Sequence, residues 1–411
     1  MQKVIVIGGG AAGIMAAIAA KERGANVTLL EKNKQIGKKI LITGKGRCNI
    51  TNAGTMEDII ANIPGNGTFL YSALHQLSNF DVIDLFHRIG VPTKTERGGR
   101  VFPVSDRAQD VVEALRGYLI KLGVEIKYGH IGEELVIQQG KISGVRVKEG
   151  GFFPADRVVV TTGGASYPGT GSTGDGYRMA AQVGHKIIPL KPSLVPLETR
   201  ESWVKELQGL SLKNVRASVV SGEKTLASEF GEMLFTHFGL SGPIILTLSK
   251  SVATALKSGQ RLSLVIDLKP ALSSEQLDHR IQRDFQKFSR KILANALGDL
   301  LPKSLIPVFL LMVSVPQDKF VHQITKEERE EIVYLLKHFT MTIAGARPVA
   351  EAIVTAGGVH VKEINPKTME SKIVSGLYFA GEVLDIDGFT GGYNLQAAFS
   401  TGWTAGRSAA E

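Results

Sequence analysis

The chain has 411 residues, 43% hydrophobic and 21% charged, with 46 glycines, which fits a soluble α/β protein of two or three domains, rich in turns. Its single cysteine excludes an intrachain disulfide and a cysteine-based zinc site, and no apolar run reaches the roughly 18 residues of a membrane span. The formal net charge of +9 fits a polyanionic partner; the alternative is a basic surface with no partner behind it. Residues 4–13 read Val-Ile-Val-Ile-Gly-Gly-Gly-Ala-Ala-Gly. Met1 leads straight into this run, leaving no room for a signal peptide, so the cytoplasm is the expected location. An alanine-rich helical stretch follows to about Arg23, then a second strand from Asn26 that ends in Glu31. Strand, glycine turn, helix, strand and acid within about thirty residues make the dinucleotide-binding fingerprint. Gly8 permits the tight turn, Gly10 lets the backbone approach a pyrophosphate, and Gly13 lets the helix pack closely on the sheet. The helix N-terminus offers free N–H groups to the phosphates, and Glu31 is placed to accept from a ribose diol.

Further along, Val101 and Phe102 follow an Arg97-Gly98-Gly99-Arg100 turn, residues 106–121 read as a helix, and 124–127 and 141–147 as strands. Residues 157–160 read as a buried strand ending at Thr161-Thr162-Gly163-Gly164, where a sheet meets its ligand edge. A second GxGxxG pattern, Gly169 to Gly174, follows Pro168 rather than a strand, and reads as a flexible loop over the cofactor rather than a second nucleotide domain. Pro189, Pro192 and Pro196 suggest a crossing linker. Residues 196–268 alternate as strands do, whereas 272–340 carry helical spacing, including 274–296 and 326–338. Leu305 to Pro316 is apolar but short, and contains Pro307. Thr342-Ile343-Ala344-Gly345 returns the chain towards the first domain. Residues 373–379 read as a strand running into Ala380-Gly381-Glu382; Asp385, Asp387 and 388–396 follow, then a small-residue helix over 397–410. The expected organisation is 1–190 and 341–411 as two parts of one dinucleotide-binding domain, with a β-rich insert over 191–270 and a helical insert over 271–340.

In two-dinucleotide-binding flavoproteins such a C-terminal segment closes the FAD site: an acid meets the ribityl or pyrophosphate region, and a helix N-terminus faces the flavin pyrimidine, whose charge on reduction the helix dipole favours. Three further blocks are distinctive: 43–52 (Thr-Gly-Lys-Gly-Arg-Cys-Asn-Ile-Thr-Asn), 163–168 with 171–177, and 236–243 (Thr-His-Phe-Gly-Leu-Ser-Gly-Pro). With 387–402 they resemble the BaiN/RdsA (YhiN-like, YtfP-like) family of FAD-dependent, NAD(P)H-utilising oxidoreductases over essentially the whole chain. Lys45 stands where that family often has glycine, and Thr161-Thr162-Gly163-Gly164 replaces the commoner Ala-Thr-Gly-Gly. The resemblance implies a Rossmann-like α/β FAD-binding domain with the two inserts, NADH or NADPH as a transient electron donor, and no metal. The residues expected to hold FAD are Gly8, Gly10, Ala12, Gly13, Glu31, Lys32, Lys39, Gly46, Arg47, Asn49, Gly163, Gly164, Gly381, Glu382, Asp387, Gly392, Asn394 and Leu395.

Two substrate classes belong to this family: uridine in large-subunit (23S) ribosomal RNA, reduced to dihydrouridine, and a 3-oxo steroid (bile-acid) enone. Both reactions are conjugate reductions of a carbonyl-activated C=C. They need donors on the carbonyl oxygen and an acid near the α-carbon. Cys48, between Arg47 and Asn49, is a candidate acid whose thiolate a nearby guanidinium would favour; otherwise it is a buried small hydrophobe. His237, before a glycine-rich turn, and Tyr393, after Gly391-Gly392, are the rivals, and Arg100 is a candidate for a phosphate or carbonyl. Steps of three and four place Arg280, Arg283, Lys287 and Arg290 or Lys291 on one helix face, as tracking of an RNA backbone requires. Charge and stripe favour ribosomal RNA or its precursor as partner, with the steroid-like enone as alternative. A non-catalytic flavin-binding ribosome factor or redox sensor is a third possibility.

Overall fold

The run Val4 to Ile7 is apolar throughout because it is the middle strand of a parallel sheet and buried at every one of those positions. The five strands lie in the order Leu377–Phe379, Arg157–Val160, Lys3–Ile7, Asn26–Glu31, Glu125–Tyr128, all parallel. One end of the sheet thus comes from the last tenth of the chain, its centre from the first. The computed structural model describes residues 1–148 and 150–411, with side chains for all of these but Thr254 and Lys257. They form two units, Met1–Ser193 with Val349–Glu411, and Leu194–Pro348.

In the first unit the Ala11–Glu22 helix is buried from Ala12 to Ala20 because it is wedged beside the C-terminal helix, Tyr393–Ala410. A Cβ on Gly402 would stand 2.2 Å from the Ala12 carbonyl oxygen, and one on Gly406 2.1 Å from that of Ala16, so the two helices touch backbone to backbone. The prolines at 189 and 192 sit in a strand, Ile187–Ser193, not in a linker; it pairs antiparallel with Val354–Val359. The pairing shifts register between Ile188 and Lys191, so Pro189, which has no N–H, falls at the irregularity.

The second unit is a closed antiparallel barrel: Leu197–Thr199, Gly239–Ser241, Lys224–Phe235, Ser211–Ser221, Leu262–Asp267, Phe339–Ala346, and back to the first. The strand Phe339–Ala346 closes it, so Thr342 to Gly345 belong to the barrel rather than to the return towards the sheet. Helices between its last two strands share its core through Leu277, Ile281, Leu305, Phe309, Ile332 and Leu336. The helix expected over 274–296 ends at Lys287. Beyond it the backbone pairs elsewhere: Leu293 N–H donates to Lys319 O (2.9 Å) and Val321 N–H to Lys291 O (3.1 Å), so these groups are lost to the helix. A short helix, Leu293–Ala296, restarts after the break. Among the described residues no helix is long and apolar enough to cross a membrane.

Candidate functional site

Three loops leave the carboxyl ends of neighbouring strands in the first unit: Gly8 to Gly10, Thr161 to Gly164, and Ala380 to Glu382. This edge is where open α/β sheets bind their ligands. Gly8 has φ +103°, and a Cβ there would meet Thr161 O at 2.7 Å; one on Gly13 would stand 1.8 Å from Gly8 O. A Cβ on Gly10 would meet nothing within 4 Å, which leaves the space a pyrophosphate needs. Gly381 lacks a side chain for a comparable reason, since a Cβ there would lie 2.7 Å from that of Ala12.

Helix starts differ in how they are capped. Four helices elsewhere, beginning at Met56, Asn79, Ser274 and Lys326, carry a full capping box. The three beside this edge, Ala11–Glu22, Asp175–Gln182 and Tyr393–Ala410, are capped by Gly10, Gly174 and Gly392 with no side-chain hydrogen bond. Their first N–H groups and positive dipole ends remain available to an anion.

Glu31 is 6% exposed; its Oε2 accepts from Gly9 N–H (2.8 Å) and its Oε1 from Asn33 N–H and Nδ2 (2.7 Å each). Lys32 reaches Asp175 (2.7 Å) and Thr173 (2.5 Å), and Asn33 Nδ2 donates to Thr170 O (3.2 Å). The second glycine pattern is thus tied to the segment after the acid-terminated strand, where Lys32 and Asn33 hold it by side-chain bonds that glycine spacing does not reveal. Lys39 donates to Glu382 and to Ser166, each at 2.7 Å. Gly163 (φ +74°) and Gly164 leave no room for side chains against Ser172 and Thr355.

The blocks 43–52 and 388–396, far apart in sequence, interlock. Asn52 Nδ2 donates to Gly391 O (3.1 Å) and Thr51 Oγ1 to the Gln396 side chain (2.6 Å). With its amide oxygen turned to Gly392 N–H (3.0 Å), Asn49 also donates to Val101 O and Thr51 O. Asn394 spans Gly388 and Phe389. Leu395 packs on the core. Gly44, Lys45, Gly46 and Cys48 are all left-handed (φ +56° to +83°), and a Cβ on Gly46 would meet open space.

Several expected residues face other partners. Arg47 binds Glu96 and Asp106 and stacks over Phe102 at 4.1 Å; it holds the Glu96 carboxyl below its usual range, and Lys94, with Arg47 behind it, does the same for Asp106. Arg47 therefore ties its loop to the 93–106 hairpin and does not favour a Cys48 thiolate. Cys48 is 0% exposed, and burial pushes its thiol up to about 12, the reverse of the expected direction. Asp387 is 7% exposed and accepts from Ser193 Oγ (2.8 Å). Arg100 donates to Arg97 O (3.1 Å). His237 is exposed in the second unit, its ring edge-on to Phe238. There too, Arg280 pairs with Asp284 (3.0 Å) and Lys287 with Asp299 (2.9 Å), while Arg290 and Lys291 lie past the helix end. The one-sided stripe over 280–291 is corrected to Arg280, Arg283 and Lys287, two of them ion-paired. Sequence reading assigned no role to Asn33, Ser166, Thr355 or Asp175; Ser166 and Asp175 stood in quoted motifs, but no local pattern names their partners.

Comparison with known proteins agrees with this geometry. The family model for the HI0933-like protein Rossmann domain matches residues 2–408. A 3-dehydro-bile acid delta(4,6)-reductase of Clostridium scindens is 35% identical over 413 residues, covering 100% of both chains. A ribosomal RNA dihydrouridine synthase of Haemophilus influenzae is 34% identical over 409 residues, covering 98% of this chain and 97% of the relative. The structure of a 3-ketosteroid delta1-dehydrogenase from Sterolibacterium denitrificans shares the fold, with TM-score 0.56 at 15% identity and 100% coverage of both chains. The open space at Gly10, the glycine-capped helix starts and the buried Glu31 fit FAD. This chain belongs to the HI0933-like family of Rossmann flavoproteins, and is an FAD-dependent, NAD(P)H-using oxidoreductase.

Proposed function

We propose that this chain reduces the C=C of a 3-oxo, steroid-like enone. The observation that carries the reading is the 35% identity, over 100% of both chains, with the bile-acid reductase. Held by the Gly8–Gly13 turn, Glu31 and the glycine-capped helix starts, FAD would supply the hydride chemistry that links NADH or NADPH to the β-carbon. The chain's share is to hold the carbonyl oxygen with a donor and to supply a proton at the α-carbon. Tyr393 suits the donor role. It opens the C-terminal helix, its hydroxyl bonds to no described residue, and burial with the nearby Asp58 charge raises its phenol, which stays protonated. Cys48 is left to packing by its burial.

A test offers the NAD(P)H-reduced enzyme a 4-en-3-one steroid and, separately, ribosomal RNA lacking dihydrouridine, with mass spectrometry of both products. The expected result is the saturated ketone and unchanged RNA. An untouched enone beside newly formed dihydrouridine would overturn the proposal. Tyr393→Phe should slow the enone half-reaction by roughly 10²–10³-fold and leave flavin reduction by NAD(P)H intact.

The second reading, reduction of uridine in ribosomal RNA, is favoured by the net charge of +9 and by the 34% identical dihydrouridine synthase. Arg283, Arg290 and Lys291 would then meet phosphates, joined by Arg280 and Lys287 if their ion pairs open.

A further inference from the structure

The Glu382 carboxylate accepts hydrogen bonds on both oxygens from three separate stretches of chain. Oε1 accepts from Ser166 Oγ (2.9 Å) and Thr355 N–H (2.8 Å); Oε2 accepts from Lys39 Nζ (2.7 Å). Lys39 also donates to Ser166 Oγ (2.7 Å), so ammonium, hydroxyl and carboxylate form a closed ring. Lys39 and Glu382 side chains are 25% and 18% exposed, shielded enough for the pair to matter and open enough for a ligand to approach. The ring is built for position. Gly37 N–H donates to Gly9 O (2.7 Å), fixing the turn that carries Lys39 to the fingerprint loop. Ala165 N–H donates to Thr355 Oγ1 (2.9 Å), and the Tyr177 hydroxyl to Glu382 O (3.2 Å).

We infer that Lys39 is a positioning residue for FAD, acting through Glu382. FAD carries a pyrophosphate dianion, and an uncompensated carboxylate at the sheet edge would repel it. Lys39 cancels that charge and fixes which lone pairs Glu382 presents, while Ser166 holds both members in register. Lys39 also directly precedes the 40–46 segment, whose last three residues are left-handed, so the ion pair clasps that segment to the one leading to the C-terminal helix. This inference requires FAD binding and is independent of which substrate is reduced.

The test is titration of FAD-stripped protein with FAD, followed by fluorescence quenching, for Lys39→Met, Lys39→Arg, Glu382→Gln and the Lys39→Met/Glu382→Gln double variant. Leaving the Glu382 charge uncompensated beside the pyrophosphate predicts a rise in Kd of roughly ten- to a hundredfold for Lys39→Met. Lys39→Arg should restore most of the affinity, and the double variant should bind no more weakly than Lys39→Met alone, because the repelling charge has gone with its partner. Wild-type affinity in Lys39→Met, or single effects that multiply in the double variant, would overturn the inference. If Lys39→Met fails to fold, Ser166→Ala, which keeps both charges, decides: weaker FAD binding supports the ring, and unchanged binding removes it.

Discussion

At the scale of single residues, steric limits are the sharpest statements. A Cβ on Gly392 would lie 2.4 Å from Thr51 C and O, at φ +99°. Gly392→Ala should therefore destabilise the protein by about 2–4 kcal/mol and release bound FAD, checked by urea unfolding and by flavin content. Cys48→Ala should lower stability by only about 1 kcal/mol and leave turnover near the parent's. His185 supplies a pH signature. Its Nδ1 lies 3.1 Å from Glu363, an acceptor, and its Nε2 lies 2.8 Å from Ser371 Oγ. Ser371 Oγ already accepts from Ile373 and Val374 N–H, so its hydroxyl donates to Nε2 and the ring is neutral. Burial, outweighing Glu363, lowers the pKa from 6.5. The neutral ring's contribution is then complete above the unfolded value of 6.5 and is lost as pH falls through the lower folded value. Urea midpoints should fall between pH 7.5 and 5.5, and His185→Gln should flatten that dependence. A slope equal in both proteins would refute this.

At the scale of elements, local sequence and tertiary pairing divide the credit. The Lys3–Ile7 strand, the fingerprint turn and the Arg157–Val160 strand were legible because each is fixed by its own apolar run and glycines. The helix start at Ser274 was legible too, from helical spacing; the structure adds the Ser273–Gln276 capping box, and Ser273→Ala should cost about 1 kcal/mol without changing flavin content. Its end was not legible. Residues 288–292 have acceptable helical spacing, and only the pairing of 291–293 with 319–321 draws them out. Likewise, no pattern around Ser166 or Thr355 announces that each bonds Glu382, because those contacts span 216 and 27 residues. The motif blocks marked loops that meet one another; which side chains meet within them depended on long-range packing, as the diversion of Arg47 to Glu96 and Asp106 illustrates.

At the scale of the whole molecule, the chain builds its sheet from both ends and places a closed barrel with helices between them. Two conjugated acceptors, an enone and a uracil, fit the same hydride chemistry, and the net charge of +9 bears on the choice only through polyelectrolyte binding. Neutralising Arg283, Arg290 and Lys291 together therefore separates the readings. An RNA-reducing enzyme should lose RNA affinity, with its salt dependence flattening by about 0.7–0.9 log units per lost contact, whereas enone turnover should not change. The most direct measurement of the central claim is an anaerobic spectral titration of the purified yellow protein near the flavin absorption band. NADH or NADPH should bleach the band, and a carbonyl-conjugated alkene should restore it stoichiometrically while its saturated counterpart does not. A protein that binds FAD yet stays oxidised with both nicotinamides, or stays reduced with every conjugated acceptor including ribosomal uridine, would contradict the account.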